Sequence, residues 1–82
     1  MTDGSPLRAV IEVVVRALVD QPDAVKVTET ERRGMSVLEL KTAPGDMGKI
    51  IGRQGKTVRA LRALAHAVGL KQRHRFVLEI VE

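Results

Sequence analysis

The chain has 82 residues, of which 44% are apolar, and this length allows one small domain with a single core. It contains no cysteine, which excludes disulfides, thiolate metal sites and thiol nucleophiles. The formal net charge of +4 is unevenly placed, because residues 1–46 carry six Lys or Arg against eight Asp or Glu whereas residues 47–82 carry eight against two.

The first predicted element is an amphipathic helix that begins at Ser5-Pro6 and ends near Val19, preceded by a flexible segment, residues 1–5. Serine can cap the free amides of a helix start, and proline suits the first helical position. Because valine is a poor helix former, we expect this helix to depend on packing against the rest of the domain. The apolar residues at helical spacing are Leu7, Val10, Ile11, Val14, Leu18 and Val19.

Two strands and two helices are predicted next. Residues 25–32 and 35–42 have the composition of strands, and the short connection Arg33-Gly34 implies an antiparallel hairpin. Asp46 is a candidate N-cap for a short helix, Met47–Ile51, and a longer helix follows over Lys56–Val68, with Gly69 as its C-terminal cap and Leu70 closing its end. The buried candidates of the longer helix are Val58, Leu61, Leu64, Ala65 and Val68.

A last strand, Arg75–Val81, follows a basic connection at residues 71–74. The element order is therefore α-β-β-α-α-β, and the helices must cover one face of the three-stranded sheet to form a core. A helical crossover joins the second and third strands, so these two strands can lie parallel. We predict an α+β fold in which helices cover one face of a three-stranded mixed sheet, in a single domain over residues 1–82.

The segment between Asp46 and Val58 carries the sequence features that bear on function. Its centre is Gly52-Arg53-Gln54-Gly55, a loop in which two glycines bracket two long polar residues between two predicted helices. Glycine allows unusual backbone angles and close approach, and the helix that begins after the loop has free amides and a dipole that favours an anion. The surrounding cations are Lys49, Arg53, Lys56 and Arg59. A chain of phosphates would use so many cations, whereas a single phosphate would not.

Other motifs compete for this loop. A nucleotide-binding P-loop would end as Gly55-Lys56-Thr57 does, but Ile50 stands where its first glycine is required. The glycine spacing does not fit a dinucleotide-binding fingerprint, which we reject. A helix-hairpin-helix DNA-binding module normally has glycines two apart, and here they are three apart. A plain interhelical turn explains one glycine but not the surrounding cations. The P-loop, the DNA module and the plain turn stay open on residue spacing alone.

Residues 51–58 resemble the signature of KH domains, in which hydrophobic residues flank G-x-x-G. The element order is similar to the bacterial type II KH arrangement, and the resemblance runs from about Leu7 to Val81. The length and the Asp46-Met47-Gly48-Lys49 lead-in resemble the small stand-alone bacterial KhpA-type KH proteins. The resemblance implies single-stranded RNA as the ligand, with the loop clamping its backbone while bases enter an apolar groove.

The resemblance also implies roles for individual residues. Gly52 and Gly55 would allow close approach to phosphates, Arg53 and Gln54 would contact phosphate or sugar, and Ile51 would form groove wall or core, as would Ile50 and Val58. The cations expected along the phosphate path are Lys49, Lys56, Arg59 and Arg62. Backbone groups of the last strand near Phe76 to Leu78 would read base edges.

The implied function is that of an RNA chaperone or post-transcriptional regulator acting as a homodimer, or as a heterodimer with a second KH-containing RNA-binding protein. The alternative is a protein-interaction module that has kept a KH fold, and single-stranded DNA remains possible as the ligand. We expect no enzymatic activity, cofactor, metal or membrane span, and a cytoplasmic location. His66 shares a helix face with Arg59 and Arg62 and is interpreted either as an RNA contact or as a plain surface residue, whereas His74 is expected to be solvated. Two histidines without cysteine make no metal site.

Overall fold

The computed structural model describes residues 5–81 and contains the six predicted elements in the predicted order. The α+β fold and the type II KH arrangement are therefore confirmed. Of the segment 1–5 that was predicted to be flexible, residues 1–4 lie outside the described residues. The helices are α1 (Pro6–Leu18), α2 (Met47–Ile51) and α3 (Lys56–Gln72), and the strands are β1 (Lys26–Arg32), β2 (Met35–Lys41) and β3 (Arg75–Val81).

The three strands form one mixed sheet in the order β1-β2-β3. β1 pairs antiparallel with β2, with Arg32 opposite Met35, and β2 pairs parallel with β3, with Met35 opposite Arg75. The hairpin between β1 and β2 turns through Arg33 and Gly34, whose φ angles are +52° and +79°. Two consecutive positive φ angles are typical of the tight turn that matches the twist of antiparallel strands. The predicted hairpin and parallel pairing are both confirmed.

The helices pack against one face of this sheet and form an almost entirely aliphatic core. Phe76 and Ile80 of β3 lie on the same side as Leu78 and are partly buried against the core, as the alternation of that strand predicts. No helix within residues 5–81 is both long and apolar enough to cross a bilayer. The buried residues of the core are Leu7, Ile11, Val15, Val25, Val27, Leu38, Leu40, Ile50, Leu61, Ala65 and Leu78.

Ser5 caps α1 and also ties it to the sheet. Its hydroxyl oxygen accepts a hydrogen bond from the Arg8 amide at 3.3 Å, while its own amide and hydroxyl donate to the Glu29 carboxylate at 2.7 and 2.8 Å. Burial by itself would raise the pKa of Glu29, but the bonds from Ser5, a contact with Ser36 and the charge of Arg8 together bring that pKa below its ordinary value. The carboxylate form of Glu29 therefore stabilises the fold.

The outer side of α1 is more apolar than its packing requires. Val10, Val14 and Leu18 were predicted by spacing to belong to the apolar face, yet they are 46%, 36% and 42% exposed, and Val13 is 68% exposed. The stripe that reaches the core is Leu7, Ile11 and Val15. The prediction that Val10, Val14 and Leu18 pack inwards is wrong, because only the side of α1 that carries the buried stripe meets β1 and the other helices.

The C-terminal end of α3 differs from the prediction. The helix continues through Gly69 and Leu70 to Gln72, and Arg73 takes the left-handed conformation that ends it, with a φ of +54°. Gly69 is a buried residue within the helix. Only glycine fits there, because a Cβ atom would collide with the carbonyl oxygen of His74. Leu64 and Leu70, expected to be buried or to close the end, are 36% and 69% exposed. The glycine therefore allows close packing of the chain after the helix instead of capping it.

Asp46 occupies the position before α2, but its side chain forms no cap there. Its carboxylate, which is almost fully buried, accepts hydrogen bonds from the amides of Asp20 at 3.2 Å and Gln21 at 3.0 Å. These amides follow the end of α1. Asp46 thus joins the end of α1 to the start of α2, and the predicted N-cap bond is wrong because these partners from a distant segment take the carboxylate.

Candidate nucleic-acid interface

The loop from Gly52 to Gly55 turns the chain sharply from α2 into α3. Gly52, Gln54 and Gly55 have positive φ angles of +76°, +57° and +72°. The amide of Gly52 donates to the carbonyl of Gly48 at 2.9 Å, and the amide of Gly55 donates to the carbonyl of Gly52 at 3.1 Å. These bonds shape a projecting backbone turn at the N-terminus of α3, where helix amides and the dipole favour an anion. Arg53 and Gln54 are exposed at its tip.

The two glycines of the loop are required for different reasons. Gly52 combines a φ of +76° with a ψ of +171°, a region that is essentially restricted to glycine. A Cβ atom at Gly52 would also collide with Thr57, lying 2.8 Å from its Cβ and 2.9 Å from its amide nitrogen. Gly55 lies in the left-handed region, and a Cβ atom there would meet no atom within 4 Å. Gly52 therefore packs the loop onto α3, whereas Gly55 only permits the turn.

Arg59 supports the loop from the first turns of α3. Its Nη2 atom donates to the carbonyl of Gln54 at 2.8 Å, and its Nε atom donates to the carbonyl of Gly55 at 3.3 Å. A guanidinium that holds two carbonyl groups fixes the conformation of the peptides around them. The structure thus places Arg59 beside the predicted phosphate path with part of its donor capacity used within the loop.

Lys49 and Arg62, also predicted to line the phosphate path, have protein partners as well. The Nζ atom of Lys49 lies 3.2 Å from Asp20 Oδ2 and 3.7 Å from Asp46 Oδ1, so two carboxylates offset its charge. Arg62 donates from Nε to the carbonyl of Leu78 at 3.4 Å, at the edge of β3. Arg53 and Lys56 are exposed, and neither forms an ion pair or side-chain hydrogen bond within residues 5–81.

The two isoleucines before the loop have different environments. Ile50 is fully buried in the core, whereas the side chain of Ile51 is 40% exposed beside Gly52. Val58, on the first turn of α3, is buried. Of the three apolar residues considered for the groove, Ile51 alone presents a substantial apolar surface next to the loop, so Ile50 and Val58 belong to the structure beneath it.

Sequence reasoning missed the contribution of Asp20, whose carboxylate pairs with Lys49. It also missed a pocket at the far end of α3, although the absence of acidic residues from Met47 to Leu78 was a signal that this whole side of the domain is cationic. Within residues 5–81, no three His, Asp or Glu side chains converge in a way that would hold a metal ion.

Comparison with known proteins identifies the family. The family model described as "KhpA/KhpB, KH domain" matches residues 8–80. A protein of Aquifex aeolicus named RNA-binding protein KhpA is 45% identical over 78 residues, covering 95% of this chain and 99% of the relative. A protein of the same name from Caldanaerobacter subterraneus subsp. tengcongensis is 45% identical over 71 residues, covering 87% of this chain and 95% of the relative.

A solved structure adds evidence on the fold alone. A crystal structure of a variant of Aquifex aeolicus Era bound to GDP.AlF4- superposes with a TM-score of 0.53 at 20% identity. The likeness covers 94% of this chain, which spans only 31% of the length of that structure. The predicted resemblance is confirmed by the family match over nearly the whole chain and by the close relatives: the chain belongs to the KhpA/KhpB family of KH domains.

Proposed function

We propose that this protein binds single-stranded RNA and that the loop Gly52–Gly55 clamps the RNA backbone. The observation that carries the proposal is the loop itself: a glycine-shaped turn at the N-terminus of a 17-residue helix, with Arg53 and Gln54 exposed at its tip. Helix amides, the helix dipole and unpaired cations together favour phosphates at this point. The relatives named RNA-binding protein KhpA support RNA as the ligand.

The residues predicted to contact RNA differ in whether their side chains already have protein partners. Arg53, Gln54 and Lys56 contact phosphate and sugar directly, since no protein group within residues 5–81 pairs with the two cations. Arg59 acts mainly by holding the loop carbonyls of Gln54 and Gly55 in place. Lys49 on α2 and Arg62 on α3 contribute positive potential, which is reduced at Lys49 by its two carboxylate partners.

Bases lie against the exposed side of Ile51 and towards the edge of β3. Aromatic stacking contributes about 1–3 kcal/mol per base where it occurs, and the single aromatic Phe, Trp or Tyr residue of the chain, Phe76, is partly buried against the core. We therefore infer modest affinity, weak base preference and strong dependence on salt. If about three phosphates are neutralised, the slope of log K against log salt is roughly −2.

The experiment is fluorescence anisotropy of a labelled 8–12-nucleotide RNA with wild type and with the double variant Arg53→Asp, Gln54→Asp. The matched control is Lys26→Asp, Thr30→Asp, which makes the same charge change at two exposed positions on the helix-free face of the sheet. Circular dichroism verifies that all three proteins fold. We expect the loop variant to lose binding and the control to retain it, apart from a small general electrostatic loss.

Equal binding by the loop variant and the control would contradict the clamp. RNA would then bind outside the loop, and the protein-interaction module would be the better description if wild type itself bound no RNA. The same titration with DNA of identical sequence tests whether the 2′-hydroxyl groups matter.

We further propose that two KH units act together, either as a homodimer or as a pair with a second KH-containing RNA-binding protein. Two sites on one RNA gain about 10²–10⁴ in avidity, which compensates for weak contacts at each loop. The exposed valines of α1 support self-association, because adjacent exposed apolar side chains on one helix are typical of interaction surfaces. Sedimentation of wild type and Val13→Glu tests this proposal; a strictly monomeric wild type with tight unaided RNA binding would contradict it.

In the cell, we propose a binding role rather than an enzymatic one, as an RNA chaperone or post-transcriptional regulator in the cytoplasm. Backbone recognition with weak base preference supports action on many RNAs rather than on one target. Crosslinking of the protein to RNA in living cells and sequencing of the recovered RNAs would measure this breadth. Recovery of a single RNA species would contradict the general role.

A further inference from the structure

A pocket of about 540 Å³ lies where α3 ends and β3 begins, and we call it the distal pocket. Its size is within the range of pockets that bind small organic ligands. α3 begins at Lys56 directly after the Gly52–Gly55 loop, and its residues that line the distal pocket begin at His66, so the pocket lies about 15–25 Å along the helix from the loop. The side chains that line it are His66, Leu70, Arg73, His74, Arg75 and Phe76.

The lining of the distal pocket is cationic. Arg73 and Arg75 are exposed, and neither forms an ion pair within residues 5–81. No residue in the described part of the chain that lines the pocket carries a carboxylate. Two free guanidinium groups beside a cavity of this size favour a ligand that carries phosphate or another anionic group.

The same pocket offers flat and apolar surfaces. The His74 Nε2 atom lies 2.8 Å from the hydroxyl of buried Ser36, which orients the imidazole ring. That ring meets Phe76 edge to face, with centroids 4.9 Å apart. Leu70 is 69% exposed at the rim. A ligand with a flat unsaturated ring fits such a surface, because aromatic and aliphatic side chains bind the faces of unstacked bases.

The end of α3 brings Arg73 to the distal pocket. Arg73 ends the helix in the left-handed conformation with a φ of +54°, a position that glycine usually occupies. An arginine here places a guanidinium at the rim of the distal pocket, which a glycine could not do.

A line of basic side chains connects the loop with the distal pocket. Arg59, Arg62 and His66 are three and four residues apart on α3 and share one side of the helix. Arg59 holds the loop, Arg62 reaches the carbonyl of Leu78 at the edge of β3, and His66 lines the pocket. A polyanion that leaves the loop along this side therefore reaches the pocket.

We propose that the distal pocket binds a nucleotide of the same RNA strand beyond the roughly four that a KH loop holds. The base packs on Leu70 and His74 beside the partly buried Phe76, and the flanking phosphates pair with Arg73 and Arg75. The inference rests on the proposed function of the loop, because it extends the path of that RNA. An acidic peptide would use the two arginines but leave the ring surfaces without a matching group.

The test compares two fluorescein-labelled RNAs, a 10-nucleotide strand and the 5-nucleotide strand that forms one half of it. Arg73→Glu is compared with Lys26→Glu, which makes the same charge change at an exposed residue on the helix-free face of β1. We expect Arg73→Glu to weaken binding of the 10-nucleotide RNA about tenfold or more and to leave the 5-nucleotide RNA within about twofold of wild type. Leu70→Ser should act in the same direction, and Lys26→Glu should affect both RNAs equally and little.

Three results would overturn the proposal that the distal pocket binds a nucleotide of the RNA. These are equal losses for both RNA lengths in Arg73→Glu, losses no larger than those of Lys26→Glu, or 4-thiouridine crosslinks from either end of the 10-nucleotide RNA that never reach residues 70–76. Failure of the proposed function is distinguishable, because in that case the Arg53→Asp, Gln54→Asp variant would bind both RNAs as wild type does, or wild type itself would bind neither.

Discussion

Replacing each glycine near the loop by alanine should give very different losses of stability. At Gly52 the φ and ψ angles of +76° and +171° fall in a region that costs a non-glycine residue about 1–3 kcal/mol. The added Cβ also collides with Thr57 at the start of α3, and overpacking of this kind costs about 1–3 kcal/mol more. We therefore expect Gly52→Ala to lower the free energy of unfolding by about 2–6 kcal/mol.

Two neighbouring glycines are internal controls for this change. Gly55 has a φ of +72° but open space around its Cα atom, so Gly55→Ala should cost only the left-handed penalty of about 1–2 kcal/mol. Gly48 has an ordinary helical conformation within α2 and also has open space, so Gly48→Ala should stabilise the protein by about 0.5–1 kcal/mol. The expected order of stability is Gly48→Ala, wild type, Gly55→Ala and Gly52→Ala.

The assay is urea unfolding followed by far-ultraviolet circular dichroism, because the chain has no tryptophan or tyrosine to report by fluorescence. An 82-residue domain has a total stability of about 4–12 kcal/mol, so Gly52→Ala should shift the unfolding midpoint strongly or leave part of the protein unfolded. Equal losses at Gly52 and Gly55 would refute the argument from Thr57, since only Gly52 has that contact.

Three further predictions follow from single contacts. Because the folded-state pKa of Glu29 is lowered, the stability that Glu29 contributes is present above its ordinary pKa of 4.5 and is lost as pH falls through the folded value. Glu29→Gln should therefore lower the free energy of unfolding at pH 7 and make it fall less steeply in acid, and parallel pH profiles of unfolding for wild type and variant would contradict this. Ile50→Ala should lower the free energy of unfolding by about 2–5 kcal/mol, whereas Ile51→Ala should change it by less than about 1 kcal/mol and weaken RNA binding instead. Chemical denaturation and anisotropy on both variants test this, and a larger loss of stability in Ile51→Ala than in Ile50→Ala would contradict it. Asp46→Ala removes the acceptor for the amides of Asp20 and Gln21 and should lower the free energy of unfolding by about 1.5–3 kcal/mol, while Lys49→Met should lower it by less than about 1 kcal/mol. Thermal or urea unfolding measures both, and equal losses would show that the ion pair, not the buried amide bonds, holds the end of α1.

The order of elements and the place of the loop were predictable from sequence because both depend on neighbouring residues. Alternation and turn residues determine the hairpin at Arg33-Gly34, and Ser5 caps α1 through an amide only three residues away. The two glycines at 52 and 55 interrupt two helical segments in a way that few motifs share. The family followed from the same residues.

Other features depended on contacts between segments far apart in the chain. Gly69 was assigned as a cap from its position, but it lies within α3, and the carbonyl of His74 from the following segment packs against it. Asp46 was assigned to its own helix, but the amides after α1 take its carboxylate. The amphipathic pattern of α1 predicted a wide buried face, whereas a helix lying on one sheet buries only a narrow stripe.

The sequence by itself therefore determined the order of the secondary-structure elements, the cationic half of the chain and the glycine-shaped loop, because periodicity, turn chemistry and composition are local properties. Only the tertiary structure decided which isoleucine lies in the core, which cations remain unpaired and where the distal pocket lies. Those outcomes depend on which distant groups meet in space: Asp20 with Lys49, Arg62 with Leu78, and Ser36 with His74.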